Sequence, residues 1–271
     1  MPELPEVETV KNGLIKKVLH KKIIKCKVLY PGIIAYPEKE TFTKEIINQT
    51  INNITRRGKF LMFELDDYYL ISHLRMEGKY FIKEPNEILN KHDHVIFSLN
   101  TKEELRYNDT RKFGKMHLVK KNELDMTPLS KLGLEPWDES LTTKYLKEKL
   151  NKKKSIKTLL LDQGIIAGIG NIYADEILFL SKINPETNGC DVTNKNLIDI
   201  IDNTKKILEK AIVSGGTTIH SYTSVDGITG RFQQELLVHG KKSAPCPICK
   251  TEILKIVVNG RGTYYCPKCQ K

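Results

Sequence analysis

Apolar residues at Leu4, Val7, Val10, Leu14, Ile15 and Val18 recur at helical spacing, with charged residues between them. That period predicts an amphipathic helix over residues 3–18. Glu3, Glu6 and Glu8 crowd its first turns, where the positive end of the helix dipole favours acidic side chains. From about residue 22 to 120 the pattern shortens to brief apolar runs separated by turn residues such as Asp66-Asp67 and Asn100. Strands are predicted over 23–30, 59–65, 69–74, 79–82, 94–99, 105–108 and 115–120, and short, closely spaced strands suggest a β-sandwich. Residues 126–138 hold two prolines and a glycine and read as an interdomain linker. Beyond it the period becomes helical again, over 142–150, 156–162, 171–182 and 193–213, and residues 245–271 stand apart as a small module. No internal repeat is present.

The chain has 271 residues, enough for two domains and a small third module. Its formal charge of +11 and pI near 9.2 favour a polyanionic partner. Nucleic acid comes first and an anionic membrane surface second. Residues 1–20 are polar and amphipathic rather than a secretory signal. The longest apolar stretches, such as 164–170, fall far short of the roughly 20 residues of a membrane span. A soluble, cytoplasmic protein is therefore expected. Four of the six cysteines cluster at the end, while Cys26 and Cys190 stand alone, a distribution that suits a reducing compartment.

The terminal cysteines form two C-x-x-C pairs, Cys246 with Cys249 and Cys266 with Cys269. Each pair can clamp one edge of a tetrahedral zinc, and four thiolates leave no open position for metal catalysis. Between them, 253–258 and 263–265 read as strands joined by Asn259-Gly260, a preferred hairpin dipeptide. Arg261 then sits near the tip of a zinc-pinned finger, as a surface arginine or as a contact to phosphate. The glycine-rich run 162–171 lacks the residues of a P-loop and the spacing of a dinucleotide fold. Gly164, Gly168 and Gly170 can expose successive backbone amides as a phosphate nest, with Asn171 capping the next helix. A plain helix–helix turn fits the same residues.

Pro2 follows the initiator methionine directly. Removal of Met1 would leave a secondary amine at the chain end, weakly basic at a pKa of about 8. Such an amine can attack an electrophilic sugar carbon and form an iminium, with Glu3 beside it to move protons. Proline is also simply common at helix starts.

Taken together, Met-Pro-Glu-Leu-Pro-Glu at the start, Arg57-Gly-Lys59-Phe, His73-Leu-Arg-Met76-Glu-Gly, Lys91-His92-Asp-His94, Asp109-Thr-Arg111-Lys-Phe113-Gly, Gly168-Ile-Gly-Asn171-Ile-Tyr-Ala-Asp-Glu and the closing ribbon resemble the bacterial formamidopyrimidine-DNA glycosylases. The likeness covers essentially the whole chain. It implies an α+β multidomain fold: a catalytic β-sandwich with its leading helix over 1–130, a helix–two-turn–helix DNA-binding domain with a lesion loop over 138–230, and a zinc-ribbon β-hairpin finger over 236–271. DNA would cross the cleft. The implied activity is that of a bifunctional glycosylase and abasic-site lyase of base excision repair, excising 8-oxoguanine and formamidopyrimidines from flipped-out nucleotides.

By the same resemblance, Pro2 attacks C1′ and displaces the base, Glu3 shuttles protons, and β- then δ-elimination cut both sides of the lesion. Lys59 matches a proton-donating lysine and Arg261 a δ-elimination position. His92, Arg111, Lys154, Lys157 and Asn171 match DNA-contacting positions. Met76, Arg111 and Phe113 match the residues that fill the void left by the flipped base, although Met76 and Phe113 taken alone would more often be core. Thr217, Thr218 and Tyr222 lie in the segment matching the lesion loop. Glu6 is placed near the site by its position in the first turn. His92 and His94 could also suggest a metal pair, but both would share a strand face with no third ligand in view. One structural Zn2+ and no organic cofactor are implied, with damage-containing duplex DNA as partner, no membrane, a monomeric state, and work in the bacterial cytoplasm at the nucleoid. Lys112 and Thr110 depart from residues frequent in the family, which puts the grip of that loop in question. Two other functions compete: an endonuclease VIII-like glycosylase for oxidised pyrimidines, and a non-catalytic zinc-ribbon DNA-binding protein, which would have no use for a free Pro2 amine.

Overall fold

The computed structural model describes residues 1–217 and 231–271. By packing the chain divides into two units, residues 1–130 with 215–231, and residues 131–214 with 232–271. The pieces expected at 138–230 and 236–271 thus share one unit, except that the stretch from 215 clusters with the first.

The first unit opens with α1, Leu4–Val18. Glu3 is its N-cap, and the carboxylate of Glu6 accepts from the Glu3 amide at 2.9 Å, a capping box that satisfies helix-end donors otherwise left without partners. Of the predicted apolar stripe, Leu4, Val7, Val10, Leu14 and Val18 are buried and Ile15 half-buried at its margin. Nine strands follow: β1 Ile23–Val28, β2 Ile34–Tyr36, β3 Asn53–Arg57, β4 Phe60–Glu64, β5 Tyr68–His73, β6 Lys79–Lys83, β7 Asp93–Leu99, β8 Glu104–Asn108 and β9 Lys115–Lys120, with helix α2, Lys39–Glu45, between β2 and β3. They form a four-stranded sheet in the order β1-β7-β8-β6 and a five-stranded sheet in the order β2-β9-β5-β4-β3. Inward residues of both sheets, with the α1 stripe and Phe42 of α2, join one apolar cluster, as a sandwich with a single core requires.

Three elements escaped the periodicity. β3 buries only Ile54 and α2 only Phe42, so neither writes a period into the sequence. β2 is a three-residue strand at a sheet edge, held by parallel pairing to β9.

The second unit is built on α3 Thr143–Leu150, α4 Ile156–Leu160, α5 Asn171–Leu180 and α6 Asn194–Val213. Thr142, Ser155 and Thr193 cap the first, second and fourth through their hydroxyls. α5 is buried without a break from Ile172 to Phe179, a run that is apolar except for Asp175 and Glu176. The hairpin β10 Leu254–Val258 and β11 Arg261–Tyr265 closes the chain. Its turn residues Asn259 and Gly260 take φ of 46° and 72°, the left-handed pair that matches strand twist. Phe179 of α5 packs with Val238, Ile253, Cys246 and Cys266, tying helix and cysteine module into one cluster.

Candidate active site and metal centre

Pro2, Glu3 and Glu6 are all buried at the head of α1. Glu6 uses both oxygens: Oε2 accepts from the Glu3 amide, and Oε1 accepts from the Thr217 amide at 2.7 Å and its hydroxyl at 3.1 Å. Gly216, at φ +77°, lies against the same carboxylate, and an added Cβ would come within 2.8 Å of Oε1. Glycine is therefore required there twice over, by its backbone angle and by space. Glu6 thus fixes the backbone of Thr217, the last described residue before 218. Thr218 and Tyr222 lie outside the described residues.

Lys59 was expected on a strand. It occupies instead the two-residue turn between β3 and β4, led by Gly58 at φ 55°, and is itself buried. Arg56 holds that turn to α1: its Nε donates to Glu8 at 2.8 Å and Nη1 donates to the Gly58 carbonyl at 3.0 Å. Burial acts to raise the Glu8 carboxyl pKa, but hydrogen bonds and the charges of Lys11 and Arg56 outweigh it and leave it below the usual range. One half-buried bridge therefore ties the helix capped by Glu3 to the turn that carries Lys59.

His73 stands opposite Phe60 in the β4–β5 register, with its ring edge-on to that ring at 4.5 Å. Burial, then the positive charges of Arg75 and Lys59, push its pKa down to about 3, so it stays a neutral imidazole. Its Nδ1 accepts from the Arg75 amide at 2.9 Å, which supports a turn where Arg75 takes φ 53°. Met76 follows, 37% exposed. Phe113 is 48% exposed, and the Arg111 guanidinium sits 4.8 Å above its ring centre. Neither apolar residue joins the core. Asp109, fully buried, organises the Arg111 loop by accepting from the amides of Arg111 at 3.0 Å and Gly114 at 2.8 Å. Gly114 has no room for a side chain, since a Cβ would fall 1.6 Å from the Tyr107 hydroxyl oxygen. Thr110 donates its hydroxyl to Glu77, linking the two loops.

The histidine pair separates. His94 is buried in β7 with Nε2 bonded to the Asp109 carbonyl at 2.8 Å, whereas His92 is half-buried in the turn before that strand. The two do not share a strand face.

In the second unit Lys154 and Arg261 are exposed. Lys157 is not, and the expectation that it contacts DNA is corrected: its ammonium is wholly buried and donates to Asp175 at 2.6 Å, Thr263 Oγ1 at 2.7 Å and the Gly262 carbonyl at 3.2 Å. Asp175 also pairs with His239 at 2.6 Å and accepts from the Tyr264 amide at 3.2 Å. Asn171 donates to the Gly262 carbonyl at 3.0 Å, and its Oδ1 is buried with no partner among the described residues. Both Lys157 and Asn171 therefore bind the backbone of the residue after Arg261. Of the two readings of the glycine turn, the plain helix–helix turn fits better than the nest. Only Gly168 takes positive φ, and the amides of Gly168 and Gly164 are engaged by Gln163 and Asp162. Gly170, rather than Asn171, is the N-cap of α5.

The four terminal cysteines come together as expected. Their sulfurs lie within 4.8 Å of one another, with Cys246 to Cys269 at 3.9 Å and Cys249 to Cys266 at 3.4 Å. Zinc–thiolate bonds of about 2.3 Å in a tetrahedron set sulfurs about 3.8 Å apart. The donor set fits one structural zinc with a closed shell.

Residues missed from the sequence are Asp109, Arg56, Asp175 and Glu176, whose carboxylate accepts from the amides of Leu237, Val238 and His239. Asp175, Glu176 and the Arg56–Glu8 contact act on groups far away in sequence, which leaves no local signature, whereas Asp109 caps amides two and five residues on, a signal that its own turn could have given.

Residues 1–116 match the formamidopyrimidine-DNA glycosylase N-terminal domain, 132–223 the H2TH domain of the same enzymes, and 244–271 a zinc finger found in FPG and IleRS. The chain is 48% identical to the formamidopyrimidine-DNA glycosylase of Bacillus subtilis, over 100% of this chain and 99% of that one. It is 47% identical to the enzyme of the same name from Oceanobacillus iheyensis, over 100% and 98%. Among solved structures, the Lactococcus lactis Fpg complex with abasic-site DNA aligns with a TM-score of 0.94 at 43% identity, over 99% of both chains. A Lactococcus lactis FPG mutant bound to Fapy-dG-containing DNA aligns equally well, over 100% of both.

Proposed function

The chain belongs to the formamidopyrimidine-DNA glycosylase family, DNA glycosylases for oxidised purines, and from that premise we propose how its own residues carry the reaction. Pro2, freed of Met1, is the nucleophile. Its secondary amine attacks C1′ of a flipped-out nucleotide, the bond to the damaged base breaks, and an iminium forms. Glu3 moves the protons that open the sugar ring. The iminium acidifies the C2′ hydrogen, and β-elimination followed by δ-elimination releases the sugar remnant and both flanking phosphates, with Lys59 as proton donor and Arg261 placed at the phosphate that leaves in δ-elimination. Met76, Arg111 and Phe113 fill the vacated stack: a flexible apolar chain, a planar donor fork for the unpaired cytosine and an aromatic wedge. His92, Lys154 and Asn171 hold phosphates. Thr217 opens the loop that meets the lesion, and Glu6 sets its height against the head of α1. The zinc holds the finger that presents Arg261 and takes no part in the chemistry. Such an enzyme works as a monomer on chromosomal DNA, in the cytoplasm at the nucleoid.

One observation carries this reading. Glu3 and Glu6 are both about 2% exposed at the cap of the helix that begins just after Pro2. Glu6 is held there by its bonds to the Glu3 amide and to Thr217, whereas Glu3 is buried directly beside Pro2, where a proton-carrying carboxyl would have to stand. The purine branch rather than the pyrimidine one is favoured by the exposed Met76–Arg111–Phe113 set. A non-catalytic binder would have no reason to anchor Glu6 to Thr217.

Borohydride reduction during reaction with a duplex holding 8-oxoguanine opposite cytosine should trap a covalent adduct that maps to Pro2, with Met1 absent by intact mass. Glu3→Gln should abolish trapping on the lesion and leave DNA affinity in place. An adduct on a lysine, or full-rate cleavage by protein retaining Met1, would overturn the assignment.

A further inference from the structure

Arg106 lies in β8, paired with Phe81 of β6 and Ile96 of β7, and is 1% exposed. Its guanidinium serves a segment with no secondary structure of its own, residues 84–92. Nη2 donates to the carbonyls of Glu84 at 3.1 Å and Glu87 at 3.0 Å, and Nη1 donates to that of Ile88 at 3.4 Å. Nε donates to Glu104 at 2.8 Å, and Asp93 lies 3.7 Å from Nη1. Apolar burial does not hold this segment, since Ile88 is 96% exposed.

The far end of the segment carries His92. Asp93 accepts from the Asn90 amide at 3.0 Å and from Asn108 Nδ2 at 2.8 Å. The His92 amide donates to Asn90 Oδ1 at 2.9 Å, and its carbonyl accepts from the Asp109 amide at 3.0 Å. Arg106 thus faces the Asp93 carboxylate as an ion pair at 3.7 Å, and hydrogen bonds run on from Asp93 through Asn90 to the turn that bears His92.

Burying a charge with its partners is often no more stabilising than an apolar core residue of the same volume. What only a guanidinium supplies is several planar donors from one side chain, enough to fix three carbonyls of a loop at once. We propose that Arg106 is a positioning residue for DNA binding: it holds residues 84–92 from beneath and so fixes where His92 meets the phosphate backbone. The inference rests on the reading of His92 as a phosphate contact.

The test compares Arg106→Lys, His92→Ala and the double variant, by affinity for a duplex holding an uncleavable abasic-site analogue and by amide exchange. His92→Ala should raise Kd several-fold. Arg106→Lys should raise it by a similar factor, up to about tenfold, and the double variant should be no worse than His92→Ala. Exchange should quicken across 84–92 while β7 and β8 stay protected. Parent-like binding by His92→Ala would remove the phosphate reading and the proposal with it. If His92→Ala binds weakly and Arg106→Lys binds like the parent, or if the two effects multiply, the positioning role is wrong and the reading of His92 stands. Should Arg106→Lys not fold, Asp93→Asn carries the same expectation, because it removes the charge that pairs with Arg106 and weakens the carboxylate bonds from Asn90 and Asn108 that shape the His92 turn.

Discussion

The loops that carry Met76 and Phe113 in the first unit and the knot around Lys157 in the second invert the usual placement of side chains in opposite ways. In the loops, large apolar groups stand 37% and 48% exposed, on turns built by buried polar residues, His73 and Asp109. In the knot, a lysine is withdrawn from water entirely, and its ammonium donates to Asp175, Thr263 and the Gly262 carbonyl. The first arrangement keeps groups available at a cost in exposed apolar surface. The second removes a charge from any ligand and uses it to hold the strand next to Arg261. Exposure against expectation marks a group that meets a substrate, and burial against expectation marks one that holds another group in place.

The sharpest way to break this contrast is Lys157→Met. It leaves Asp175 as a buried carboxylate missing one partner, and breaking such a pair costs about 3–5 kcal/mol. Urea unfolding should show that loss. A change below about 1 kcal/mol would mean the knot behaves as a surface pair.

A second expectation follows from His73. Its pKa is lowered to about 3 in the fold and lies near 6.5 when unfolded. The unfolded chain therefore binds the proton more readily between those values. The stability this histidine contributes is complete above about pH 6.5 and is lost progressively as pH falls toward 3. At pH 5 the loss is about 2 kcal/mol relative to pH 7. His73→Gln should flatten the fall of stability over that window in pH-dependent unfolding. An unchanged slope would show that the imidazole is not the group responsible.

The smallest effect on stability belongs to Phe113→Ala, which should stay within about 0.5 kcal/mol, as for other surface substitutions. Its effect should fall on the DNA instead, as weaker binding to a lesion duplex in a gel-shift or anisotropy titration. A large loss of stability with unchanged DNA affinity would make Phe113 a core residue after all and dissolve the contrast.

What could be read without the fold was whatever a few neighbouring residues decide together. The α1 stripe, the Asn259-Gly260 turn and the four zinc ligands are local by nature, because spacing along the chain sets both their geometry and their chemistry. α2, β2 and β3 were missed because each buries almost nothing and leaves no period. The tertiary structure alone decided that Lys157 is interior and Lys154 exposed, that Met76 and Phe113 escape the core, and that Glu6 reaches Thr217. These outcomes depend on which distant donor or acceptor arrives beside a side chain. A buried charge or a strained turn is stable only once that partner is in place, so no neighbour in sequence can announce it.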